Sequence, residues 1–134
     1  MGKIIAYCRK HCPHSENTAN ILKINNKINA QIIDVENTTM DKESVKNELM
    51  RRKINGINSN TTFPIIIYQT SKNDYLYIGG NSDFKNCLYF VDRLPNDNLS
   101  NLSKIIANLD EYSNYSLNNR RLISYLISVL KIIK

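Results

Sequence analysis

The sequence predicts an α/β fold, and three observations carry that prediction. Two apolar runs, Ile4-Ile5-Ala6-Tyr7 and Ile32-Ile33, bracket a segment with helical spacing. Together they have the length of a strand–helix–strand unit, about 30 residues or more. Two further apolar runs, Ile65-Ile66-Ile67-Tyr68 and Tyr75-Leu76-Tyr77-Ile78, flank a polar loop and read as a hairpin. Beyond residue 98 the apolar residues recur at helical spacing.

The elements follow in order. Lys3–Cys8 is the first strand, a short apolar run. Pro13–Ile24 is the first helix, because proline suits the first helical position, where its missing N–H is not needed and its φ already fits. Ala19, Leu22 and Ile21 are expected on its inward face. Residues 30–35 are the second strand, whose uninterrupted apolar centre suits a parallel strand buried in mid-sheet. The crossover between these strands should be right-handed. The polar stretch 38–41 can hold a helix cap, for which Thr39 fits better than Asp41. Val45, Leu49 and Ile54 then mark a helix that stops near Asn55-Gly56.

Residues 65–68 and 75–78 form the hairpin. Ser82 or Asn81 caps a third helix over 83–94, which Pro95 ends. Leu99, Leu102, Ile105, Ile106 and Leu109 make one more apolar helix face, and Leu122, Ile123, Leu126, Ile127, Leu130 and Ile133 make another. This gives a domain over 1–98 and a helical extension over 99–134 packed on it. The last helix, about 117–133, carries Arg120, Arg121 and Lys131 with Lys134 just after it, and no acid. A basic amphipathic helix of this kind can serve a protein partner or a membrane surface. Docking on the domain is the preferred reading, since most apolar helix faces are core.

The stretch Arg9-Lys10-His11-Cys12-Pro13-His14-Ser15 sits where the first strand hands over to the first helix. Cys12 becomes the capping residue, with free backbone N–H groups near its sulfur. A helix N-terminus carries about half a positive charge, and Arg9 and Lys10 add two cations. Each favours thiolate, the reactive form of cysteine. The plain alternative, an inert buried cysteine, is disfavoured by this position.

Two later motifs share the chain with Cys12: Thr62-Phe63-Pro64 before a strand, and Gly79-Gly80-Asn81-Ser82-Asp83 before a helix. In that order the three resemble the glutaredoxin family over residues 3 to 94. The resemblance implies a thioredoxin-like (glutaredoxin) fold, a four-stranded mixed sheet flanked by helices, here with C-terminal helices added. It also implies a cis bond at Phe63–Pro64. The loop 57–61 is longer than that family has there. Ser15 stands where a dithiol member has its second cysteine, so the site is monothiol. Serine cannot resolve a mixed disulfide, but it can donate a hydrogen bond to the Cys12 thiolate and lower its pKa.

The implied activity is glutathione-dependent thiol–disulfide exchange on glutathionylated or disulfide-containing proteins, with Cys12 as nucleophile. The implied glutathione contacts are the backbone of Phe63 beside Pro64, Gly80 for close approach, Ser82 and Asp83 for the γ-glutamyl end, and Arg9 for the glycyl carboxylate. His14 replaces the usual aromatic residue and can stack or hydrogen-bond near the sulfur. Two other functions stay open. One is a [2Fe–2S] carrier or sensor, in which Cys12 from each of two chains and two glutathione thiolates supply four-thiolate ligation. The other is a non-catalytic thioredoxin-like adaptor. Cys8, His11, Cys12 and His14 also raise zinc, but their spacing fits no common zinc pattern. Cys87 reads as a packing residue.

Composition sets further bounds. The chain has 134 residues, 42% of them hydrophobic and 22% charged, as in a globular protein. No apolar stretch reaches the roughly 18 residues of a membrane span. Met1-Gly2-Lys3 leads straight into a strand, so no signal peptide is expected, and Gly2 lacks the Ser or Thr that N-myristoylation needs. Three unevenly spaced cysteines do not make a disulfide framework. A reducing, cytoplasmic setting is expected. The net charge of +6 raises nucleic acid, but the basic residues are spread without a stripe, so a solvated surface is expected and no nucleic acid.

Overall fold

The computed structural model describes residues 2–35 and 41–133. Its elements run β1 (Lys3–Cys8), α1 (Pro13–Ile24), β2 (Ala30–Asp34), α2 (Lys42–Arg51), β3 (Ile65–Gln69), β4 (Tyr75–Gly79), α3 (Asn81–Asp92), α4 (Leu99–Ala107), α5 (Asp110–Ser113) and α6 (Leu117–Leu130). The four strands make one sheet in the order β2-β1-β3-β4. β1 and β2 are parallel, with Cys8 opposite Asp34. β3 is antiparallel to β1 and to β4. The chain is therefore α/β with a mixed sheet.

Strand alternation sorts the side chains onto two faces. Ile5, Ile65 and Ile67 pack with Val45 and Leu49 of α2 and with Val35, Ile54 and Ile57. Ile4, Ala6 and Cys8 take the opposite face and are also buried. There Cys8, Ile32 and Asp34 border a cavity with Ser15 and Ala19 of α1.

Several elements depart from expectation. β2 is an edge strand, not a central one, and none of its residues is fully buried. A pair of adjacent isoleucines puts one on each face, which suits a covered edge as well as a centre. The inward face of α1 is Ser15, Thr18 and Leu22, while Ala19 and Ile21 are half-buried. α2 is capped by Asp41, whose side chain accepts the Ser44 N–H at 2.8 Å; Thr39 lies outside the described residues. The same helix stops at Arg51. Lys53, at φ 57, closes it in the left-handed conformation. The Lys53 and Ile54 N–H groups reach the Met50 and Leu49 carbonyls, so Ile54 joins the core from a turn. α3 starts at Asn81, so Asn81 and Ser82 lie inside its first turn instead of capping it.

The chain divides into two compact units, one ending at Phe84 and the other starting at Lys85. That division falls inside α3, ahead of the boundary expected after residue 98. In the second unit, Asn98 caps α4 by accepting the Asn101 N–H, and Ser116 caps α6 by accepting that of Asn119. Phe90 stacks at an angle on Tyr112 and Tyr115, with centroids 5.8 and 5.6 Å away. Leu122, Ile123 and Leu126 of α6 are fully buried, as in a packed helix and not in one lying on a membrane. Among the described residues, no helix is long and apolar enough to cross a membrane.

Candidate active site

Residues 9–12 join β1 to α1 by a short turn. His11 takes the left-handed conformation, φ 58, which histidine adopts more readily than most non-glycine residues. Cys12 is then extended and sits at the N-cap of α1, with Pro13 opening the helix. The Cys12 side chain makes no capping hydrogen bond, yet the nearby dipoles act on it. Burial, the largest single influence, pushes the thiol up. The Ser15 N–H, the Ser15 hydroxyl, the His14 N–H and the Arg9 guanidinium outweigh it and hold Cys12 below its ordinary value. Each of these four stabilises negative charge on sulfur. Cys8 goes the other way: burial, then Cys12, then the Asp34 carboxylate push it up to about 11, against Lys23.

Ser15 is fully buried, and its Oγ forms no hydrogen bond by strict geometry. Its dipole still favours the thiolate, so hydroxyl and sulfur are neighbours without an ideal bond. A buried hydroxyl with no partner is destabilising by about 1–3 kcal/mol. Ser15→Ala is therefore expected to leave stability equal or slightly higher while raising the pH midpoint of Cys12 alkylation. Thermal melts and an iodoacetamide rate profile on one sample separate the two effects.

The sheet register brings the other two motifs to the same edge. Tyr7 lies opposite Ile65, so the end of β1 adjoins the start of β3. Phe63–Pro64, a cis peptide, leads into that strand. Ile66 lies opposite Gly79, so β4 ends at this edge too. A Cβ built on Gly80 would stand 3.7 Å from the Pro64 carbonyl oxygen. The Thr18 hydroxyl donates to Asn81 Oδ1 at 2.8 Å, a buried bond that ties α1 to the first turn of α3.

The expected residues fall as follows. Arg9 is half-buried and acts on Cys12. His14 is exposed and contributes its backbone N–H. Phe63 packs its ring against the core beneath α2, and Pro64 is buried. Ser82 and Asp83 are exposed on the first turn of α3. Asp83 Oδ2 accepts the Gly80 N–H at 3.0 Å, the reciprocal contact of a capping box. Cys87 is fully buried. Sequence reasoning missed Thr18, because it sought apolar residues on α1, and took Asn81 for a cap instead of Thr18's partner; it also missed the conformational demand at Gly79. Among the described residues, no three His, Cys, Asp or Glu side chains are grouped to hold a metal ion.

No protein-family model matches this chain, and no curated protein is similar enough in sequence to count as a relative. The geometry stands by itself: a thiol held below its ordinary pKa, a cation beside it, and turns of backbone converging on the same sheet edge. Such a group can attack an electrophilic sulfur.

Proposed function

We propose that the chain is a monothiol glutaredoxin, a glutathione-dependent thiol–disulfide oxidoreductase of thioredoxin-like fold acting through Cys12. One observation carries this reading. The N-cap of α1, with its lowered Cys12, lies at the sheet edge shared by Phe63-Pro64 and the Gly79-Gly80 turn. The parallel β1–β2 pair followed by the antiparallel β3–β4 hairpin supports the fold assignment.

In the first step the Cys12 thiolate attacks the glutathione sulfur of a target–glutathione disulfide. That S–S bond breaks, a Cys12–glutathione bond forms, and the target leaves as a thiolate that takes up a proton. A second glutathione, as thiolate, then attacks the glutathione sulfur of this adduct. Oxidised glutathione departs and Cys12 thiolate returns. The target disulfide has gained two electrons and two glutathiones have lost them. Only one protein thiol is used, and the rate follows thiolate fraction and leaving-group pKa.

In this reading Arg9 neutralises the glycyl carboxylate, the Phe63 backbone pairs with the cysteinyl unit, and Ser82 and Asp83 meet the γ-glutamyl end. Three free thiols fit a reducing compartment such as the cytosol.

The test is the alkylation rate of Cys12 against pH, followed by turnover of a glutathione mixed disulfide. Lowering a thiol pKa raises its thiolate fraction at neutral pH, so the midpoint should lie below that of free cysteine, about 8.5. Cys8, pushed to about 11, should stay unmodified at pH 7. A Cys12 midpoint at or above the free value, with no turnover, would overturn the assignment.

A further inference from the structure

The one-thiol cycle leaves a second thiol unused beside it. Cys8 is the last residue of β1, on the face that α1 covers. Only three residues separate it from Cys12, and the left-handed His11 makes that connection tight. The two sulfurs are near enough for the charge on one to act on the other. A cavity of about 220 Å³ borders Cys8 and reaches Ser15, the residue whose N–H and hydroxyl act on Cys12. Within that wall the Ser15 Oγ is fully buried, a neighbour of the Cys12 sulfur. Cys8, itself buried, thus lines a cavity bounded by α1 and β2.

We infer that Cys8 is a second redox-active thiol, which converts the Cys12–glutathione adduct into an intramolecular Cys8–Cys12 disulfide. The inference rests on the glutaredoxin reading, which supplies the adduct. In the step, the Cys8 sulfur attacks the Cys12 sulfur. The bond between Cys12 and glutathione breaks, and the Cys8–Cys12 bond forms. Glutathione leaves with the electron pair and takes up the proton that Cys8 gives away. The glutathionyl group is reduced and the protein pair is oxidised by two electrons, with no further reactant.

Thiolate chemistry sets the place of this step. Cys8 attacks as thiolate, and its pKa of about 11 keeps that form scarce at neutral pH. A second glutathione therefore wins when it is plentiful, and Cys8 wins when it is scarce. Reopening is slow as well. The accessible sulfur is Cys12, so an incoming thiol must expel Cys8, a poor leaving group. Cys8 withdraws the enzyme from turnover when the glutathione pool is depleted.

The test incubates the full chain with oxidised glutathione, quenches with N-ethylmaleimide, and maps the peptides without reduction. The Cys12 adduct should appear first and decay to a Cys8–Cys12 disulfide. Its decay should quicken about tenfold per pH unit between pH 7 and 9, as a thiolate fraction far below its pKa does. Cys8→Ser and Cys8→Ala should hold the adduct without decay, and Cys87→Ala should behave as the parent. A wild-type adduct that persists, with Cys8 recovered as a free thiol after unfolding, overturns the inference and leaves the Cys12 chemistry intact. Absence of any adduct at Cys12 overturns both. Since wild-type protein alone decides between these results, poor folding of a Cys8 variant does not obscure them.

Discussion

Cys12→Ser is expected to lower glutathione-dependent turnover of a glutathionylated disulfide to the uncatalysed background. A serine hydroxyl stays protonated at neutral pH and cannot take part in thiol–disulfide exchange, so no step of the cycle survives. The change swaps sulfur for oxygen at a half-buried position. It removes no packed side chain, so stability should move by no more than about 0.5 kcal/mol. Equal melting curves with lost turnover would place the defect in chemistry. Cys87→Ala should keep its turnover, since Cys87 is buried in α3. Turnover that persists in Cys12→Ser would remove the proposed mechanism. A parent protein that never turns over would favour the adaptor reading, and visible absorbance from a cluster-loaded dimer would favour the iron–sulfur one.

The site was more legible in the sequence than its supports were. Cys12, Pro64 and the Gly-Gly turn announce themselves, because each residue type answers a local demand: a cap, a proline before a strand, a chain reversal. Local demands can be read from neighbours in the chain. The bond from Thr18 to Asn81 spans 63 positions and leaves no local trace. Its one signal is the spacing of Ser15, Thr18 and Leu22, which line one helix face once polar residues are admitted to it. The central placing expected for β2 failed for a related reason. Apolar content tells how covered a strand is, but not whether it has a partner on both sides. The early end of α2 was hidden because Lys53, not Gly56, took the left-handed closing position, and lysine carries no compositional cue for it.

Gly79→Ala is expected to destabilise the first unit by about 2–4 kcal/mol, combining a strained backbone with a lost hydrogen bond. Gly79 has φ 132, outside the range that residues with a Cβ adopt readily. It closes β4 beside a register shift in the β3–β4 pairing. A Cβ there would also stand 2.8 Å from the Cβ of Asp83, too close for carbon atoms. Asp83 is short, so it cannot yield without moving Oδ2 off the Gly80 N–H. The double variant Gly79→Ala/Asp83→Gly separates the two causes, since only glycine at 83 removes the Cβ that the new methyl meets. If overlap contributes, the combined loss falls short of the sum of the single losses; if strain acts alone, the losses add. Gly80→Ala is the contrasting case. Its Cβ would meet only the Pro64 carbonyl oxygen, at an ordinary 3.7 Å. Stability should therefore hold or rise by up to about 1 kcal/mol, since alanine narrows the unfolded ensemble. If a glutathione backbone runs past Gly80, that methyl should instead raise KM for the mixed disulfide while the alkylation profile of Cys12 stays put. A Gly80→Ala protein with unchanged KM would move the tripeptide away from this turn, and a Gly79→Ala protein as stable as its parent would remove the demand for glycine at the end of β4.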